Sequence, residues 1–181
     1  MRIIAGSRKG SIIEAPKGRD VRPTLDRVKE SMFGMIQFQI ADRAVLDLFA
    51  GSGNLGLEAL SRGARYAVFN DAARSSLQVV QTNLNKLRFA DRARTSCRQY
   101  DMALMGFQRS GERFGVIFLD PPYAAGLLEH ALALIAEYDL LEPDGVIVAE
   151  HDRSLQPQKM CIRDSGQGDG AISGRKELRR I

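Results

Sequence analysis

The 181 residues carry a 44% apolar share, two cysteines and two histidines, enough for one buried core and too few sulfur or imidazole ligands for a metal-built or disulfide-built protein. No apolar run approaches the ~18 residues of a membrane span and the start lacks the apolar block of a secretory leader, so a cytoplasmic protein of a single domain is expected. The net charge of +4 is unevenly spread: residues 1–29 hold eight Lys/Arg against three Asp/Glu, residues 30–150 eleven against fifteen, and residues 151–181 seven against four. Basic ends flanking an acidic middle suit a phosphate-rich partner, although a charged face kept for solubility produces the same pattern.

Arg2–Ala5 and Lys9–Ala15 are β-prone pieces separated by Gly6 and Gly10, which predicts a small opening hairpin. Pro16, Gly18 and Pro23 then interrupt regular structure. Thr24 caps a predicted helix whose apolar positions Leu25, Val28, Met32, Ile36 and Ile40 recur at three- and four-residue steps, leaving Arg27 and Lys29 near its exposed start.

From Ala44 onward short apolar runs alternate with helical stretches. Ala44–Leu48, Tyr66–Phe69, Ala93–Cys97, Val116–Leu119 and Gly145–Ala149 read as strands, with Cys97 as a buried strand residue. Leu55–Ser61, Arg74–Leu87, Met102–Phe107 and Leu127–Tyr138 carry helical spacing. Such alternation predicts an α/β fold with a parallel sheet, helices on both faces, and ligands gathered at the carboxyl ends of the strands.

The first of those ends is Val45-Leu46-Asp47-Leu48-Phe49-Ala50-Gly51-Ser52-Gly53-Asn54-Leu55-Gly56. Gly51 and Gly53 permit a tight turn and close backbone approach to a cofactor, with Phe49 and Ser52 in the same loop. Gly51-x-Gly53-x-x-Gly56 followed by Asp71 also satisfies a dinucleotide fingerprint, which keeps a nicotinamide dehydrogenase open. In either case the Asp71 carboxylate suits a vicinal ribose diol. Asp101 suits an adenine amino group, or serves as the N-cap of the helix it precedes.

Phe118-Leu119-Asp120-Pro121-Pro122-Tyr123 points to the reaction. An exocyclic amino nitrogen of a nucleobase is a weak nucleophile because its lone pair is delocalised into the ring. Asp120 and the Pro121 carbonyl can each accept one of its N–H groups, Pro121 and Pro122 stiffen the strip and remove two backbone donors, and Tyr123 offers a face for an extruded base. Hydride transfer has no use for such a strip, whereas amino methylation has.

With these segments in hand, the sequence resembles the RsmD family of bacterial methyltransferases, which modify the N2 amino group of a guanine in 16S ribosomal RNA. The resemblance runs from Met1 to about Asp152 and includes Met1-Arg2-Ile3-Ile4-Ala5-Gly6, the block Arg22-Pro23-Thr24-x-Asp26-Arg27-Val28-Lys29-Glu30, Asp47–Leu60, Asp120–Tyr123 and Glu150-His151-Asp152. It implies a Rossmann-like class I fold that uses S-adenosylmethionine. The implied sheet has seven mostly parallel strands, and an N-terminal extension over residues 1–40 closes on cofactor and RNA. The catalytic core would span 41–152 and an atypical tail 153–181. It also implies that Asp47, Gly51, Gly53, Asp71 and Asp101 line the cofactor pocket while Asp120, Pro121 and Tyr123 handle the base. The expected partner is 16S ribosomal RNA within the small subunit or its assembly intermediate, met by a monomer without a metal. Arg8, Lys9, Arg19, Arg22 and Arg27 are the candidate phosphate contacts.

This chain departs from the family pattern at Tyr100, where a small residue is usual before Asp101. Gln167 and Gly170 replace an aromatic residue and a Thr, and residues 155–166 match nothing in the pattern. A DNA adenine methyltransferase and a catalytically idle RNA-binding factor of the same fold stay open as alternatives.

Overall fold

The computed structural model describes residues 1–15, 24–122 and 126–149, with residues 24–27 described for their backbone alone. Arg19, Arg22, Tyr123 and the tail from residue 150 onward therefore lie outside the described residues.

Five parallel strands build the sheet in the order β3-β2-β1-β4-β5: β1 Ala44–Asp47, β2 Tyr66–Asn70, β3 Ala93–Ser96, β4 Phe114–Leu119 and β5 Leu141–Ala149. Successive side chains of a strand point to opposite faces, and here both faces are covered. Val45, Ala67, Phe69, Val116 and Phe118 enter one core with Met32, Phe33, Leu57, Leu60, Val80 and Leu84. Leu46, Val68, Ile117 and Leu119 enter a second with Leu104, Phe107, Leu128, Leu132 and Ile135. The first core lies under α1 (Thr24–Met35), α2 (Asn54–Ser61) and α3 (Arg74–Leu87). The second lies under α4 (Tyr100–Arg109) and α5 (Leu127–Glu137). The Rossmann-like α/β architecture is thus as expected. Five of the seven implied strands fall among the described residues.

The predicted hairpin is present in reduced form. Arg2 and Ile12 make an antiparallel bridge, and the Ile3 and Ile13 amides donate to the Ser11 and Met1 carbonyls at 2.9 and 3.0 Å. A 3₁₀ turn over Gly6–Arg8 closes it, with Gly6 at φ +82°. A Cβ on Gly6 would come within 1.9 Å of the Ser61 carbonyl oxygen, so only glycine lets the hairpin lie this close to α2.

Several expectations need correction. Lys29 is not at an exposed helix start; it is 4% exposed. The first helix stops at Met35, because Ile36 leaves helical geometry (φ −110°, ψ 11°), and a 3₁₀ turn over Gln37–Gln39 still brings Ile36 and Ile40 into the core. Cys97 is exposed, one residue past the end of β3. The last described strand begins four residues earlier than Gly145: its register shifts between the Phe114 and Val116 pairings, an irregularity that accommodates Pro143 without a lost ladder donor. Asp101 is not an N-cap. The helix begins at Tyr100 with Gln99 as its cap, and Asp101 sits in the first turn.

Candidate active site

Parallel strands carry their C-terminal residues to one edge of the sheet, and here that edge collects Asp47, Asn70, Asp71 and Asp120. Between Asp47 and Asn54 the chain turns through Gly51 (φ +54°) and Gly53 (φ +79°), conformations that a side chain would strain. Gly56 lies flush on the Phe69 ring, where a Cβ would approach Cε1 to 2.4 Å.

Carboxylates fix this loop from the sheet side. Asp47 Oδ2 accepts the Gly56 amide at 3.0 Å, and Asp71 Oδ2 accepts the Gly51 amide at 2.9 Å. Asp71 Oδ1 also accepts the Ala73 amide at 2.8 Å. Asp47 is 2% exposed, and burial pushes its carboxyl up from 3.8 to about 7; the Gly56 hydrogen bond opposes the shift, while the charges of Asp120 and Asp71 add to it. Three carboxyl groups thus share one electrostatic neighbourhood. The ammonium and sulfonium charges of S-adenosylmethionine fit that field, and the anionic pyrophosphate of a dinucleotide does not. The half-buried Asp71 keeps lone pairs beyond those used by Gly51 and Ala73, which suits a ribose diol.

The remaining predicted cofactor positions divide. Phe49 is half-buried, its ring 5.6 Å from that of Tyr100, whose hydroxyl pairs with His130 Nδ1 at 2.6 Å. Ser52 is buried, with Oγ 3.8 Å from the Met1 sulfur, so its side chain faces the hairpin. Asp101 Oδ1 accepts the Met102 amide at 2.7 Å and is half-buried. Asp120 and Pro122 are exposed directly beyond β4, with Pro121 half-buried between them.

Of the basic candidates, Lys9 is exposed, whereas Arg8 is partly committed internally. Arg8 Nε donates to the Leu87 carbonyl at 2.8 Å, and its guanidinium lies 5.8 Å from the Phe89 ring centre. Arg27 lies in α1 with its side chain outside the described residues. A groove of about 400 Å³ between β3 and α4, lined in part by Arg94, Cys97 and Arg98, includes none of the predicted site residues.

Four residues that sequence reasoning did not select hold the site in shape. Asn70 Nδ2 donates to the carbonyls of Leu48 and Arg98, both at 3.1 Å, tying the ends of three strands together. Glu58, fully buried, accepts the Ile4 and Ala5 amides (2.8 and 3.0 Å) and pairs with Arg62 and Lys29. Lys29 and Asn83 complete the set. The available signal was a polar residue at a buried helical phase, as with Asn83 among Leu77, Val80, Leu84 and Leu87.

Sheet order, glycine turn and acidic edge define a Rossmann-like methyltransferase fold of the S-adenosylmethionine-dependent type. Solved structures share the fold: the Escherichia coli putative methyltransferase yhhF superposes with a TM-score of 0.71 at 33% identity, covering 82% of this chain and 78% of that one. The Thermus thermophilus hypothetical protein TTHA0928 does so at 0.75 and 26% identity, covering 97% and 95%. More particularly, the chain belongs to the RsmD family, since residues 1–169 match the family model described as "Conserved hypothetical protein 95". It is 36% identical over 153 residues to the Ribosomal RNA small subunit methyltransferase D of Escherichia coli K12, covering 84% of this chain and 75% of that protein. It is also 46% identical over 156 residues to the Bacillus subtilis protein YlbH, covering 86% and 85%.

Proposed function

We propose that this protein transfers a methyl group from S-adenosylmethionine to the exocyclic N2 amino group of a guanine in 16S ribosomal RNA. The carrying observation is the placement of Asp120-Pro121-Pro122 at the mouth of β4, close enough to the glycine-loop carboxylate for its charge to raise the Asp47 pKa. The cofactor supplies an electrophilic methyl on a cationic sulfur. Asp120 and the Pro121 carbonyl accept the two N–H groups of the guanine, so that the nitrogen lone pair turns toward the methyl carbon. As the N–C bond would form, the methyl–sulfur bond would break with its electron pair left on sulfur, giving S-adenosylhomocysteine, and one amino proton would pass toward the Asp120 carboxylate. Neither proline has an amide hydrogen to compete for those acceptors. Acceleration comes from alignment and from carboxylates matched to the incoming cation.

The names of relatives support ribosomal RNA of the small subunit as substrate. Arg19, Arg22, Arg27 and Lys9 are proposed to meet RNA phosphates, Arg8 contributing less because of its bond to Leu87. Tyr123 is proposed to stack on the base. The test is transfer of labelled methyl to small subunits lacking the modification, comparing wild type with Asp120→Ala and mapping the product nucleoside. Label recovered as N2-methylguanosine, and reduced about a hundredfold or more in the variant, is expected. Label in DNA adenine, or a folded protein that binds cofactor and labels neither nucleic acid, would overturn the reading.

A further inference from the structure

Gly51 and Gly53 leave the cofactor loop with two positions of wide conformational freedom, so something must restrict it before a ligand arrives. Asp47 and Asp71 restrain it from the sheet side. On its other side stands the N-terminal hairpin, reached through two buried polar side chains.

Asn83, fully buried in the middle of α3, uses its amide at three points. Its Oδ1 accepts the Glu14 amide at 2.8 Å, and its Nδ2 donates to the Glu14 carbonyl at 3.0 Å and the Ser52 carbonyl at 3.1 Å. Lys29 of α1 likewise reaches the Arg2 carbonyl at 2.7 Å, Asn54 Oδ1 at 2.8 Å and Glu58 Oε2 at 3.0 Å. A buried amide or ammonium is costly unless it is bonded. Both of these are bonded to the same two bodies, the hairpin on one side and the residues that bracket Gly53 on the other.

We propose that the N-terminal hairpin is a strut for the cofactor loop, with Asn83 and Lys29 as the positioning residues that carry its hold to Ser52 and Asn54. The hairpin thereby sets cofactor affinity through its hold on the loop. This rests on the S-adenosylmethionine reading above for its ligand, and on the bonds themselves for its mechanics.

Two measurements test it. In native-state hydrogen exchange on the intact, ligand-free protein, the hairpin amides of Ile4, Ala5, Ile13 and Glu14 should open together with those of Gly51, Gly53 and Gly56, at the same denaturant dependence. Independent opening of the two groups overturns the strut. In calorimetric titration with S-adenosylmethionine, Asn83→Ala should weaken binding about tenfold or more, because a loop that must be ordered on binding lowers affinity. Leu132→Ala, a truncation in the core on the opposite face of the sheet, should leave it within about twofold. Equal weakening by both variants reduces Asn83 to a stability role and overturns its assignment. If Asn83→Ala does not fold, the exchange experiment decides. A wild-type protein that binds no S-adenosylmethionine defeats the cofactor reading while leaving the exchange result to judge the strut.

Discussion

The two ends of the site edge are built differently. Around β1 the cofactor loop is held from both sides, by the buried Asp47 on Gly56, Asn83 on Ser52 and Lys29 on Asn54 and by the half-buried Asp71 on Gly51. Beyond β4 the strip Asp120-Pro121-Pro122 stands exposed or half-exposed, with prolines in place of backbone donors. The fold therefore commits its polar interior to presetting the loop and leaves the other end open, as suits a small cofactor beside a bulky substrate. Changes at the loop end should cost stability, and changes at the strip should cost turnover.

Lys29→Met gives the sharpest test of that division. It removes one of the two cations paired with the buried Glu58, leaving Arg62 as the other, and strips the Arg2 carbonyl and Asn54 of a donor, so urea unfolding should show a loss of about 3 kcal/mol. A loss below about 1 kcal/mol would mean that the charges are not the keystone of this end. Asp47 comes next. Its folded pKa of about 7 lies above the 3.8 of the free carboxyl, so the folded state holds the extra proton between those values. Its contribution to stability is fully present below about pH 4 and is lost as pH rises toward 7, on the order of 2–4 kcal/mol. Asp47→Asn cannot lose that proton and should gain on wild type steadily across this window; a constant difference between the two unfolding curves would refute the shift. Gly56→Ala should cost about 1–3 kcal/mol, because the new methyl meets the Phe69 ring, itself enclosed in the first core. At the other end, Pro122→Ala should change stability by less than about 0.5 kcal/mol while slowing methyl transfer. Should Pro122→Ala destabilise as much as Gly56→Ala, the contrast between the two ends would collapse.

What could be read in the sequence follows the same divide between local and distant causes. Strands covered on both faces appear as plain apolar runs, so β1, β2 and the second half of β5 were legible, and α3 was placed to the residue by uninterrupted spacing from Arg74 to Leu87. The glycine loop and Asp120-Pro121-Pro122 were legible because their chemistry lies in adjacent residues. The predicted strand began only at Gly145, because the first half of β5 lacks an apolar run and takes its pairing from Phe114 across the sheet. Lys29 read as a surface lysine and Asn83 was not singled out, since each is made sensible only by partners 25 to 69 residues away. The Arg8 bond to Leu87 was hidden for the same reason, its partner being 79 residues distant.

Apart from the Arg8 guanidinium, bonded to the Leu87 carbonyl, and the Met1 sulfur against Ser52, the polar grip on the hairpin is on its main chain. The Ile4, Ala5 and Glu14 amides and the Arg2 and Glu14 carbonyls make the contacts to Glu58, Asn83 and Lys29, and Ser61 accepts the Arg8 amide while donating to the Ala5 carbonyl. Ile3, Gly6 and Ile13 are bound by packing or close approach, but the exposed side chains of Ser7, Lys9, Ile12 and Glu14 are not what the loop depends on. Those positions can drift in evolution, or be randomised in a library, without disturbing the loop behind them. One face of the extension is thus free to be retuned toward a new binding partner while the other stays constant.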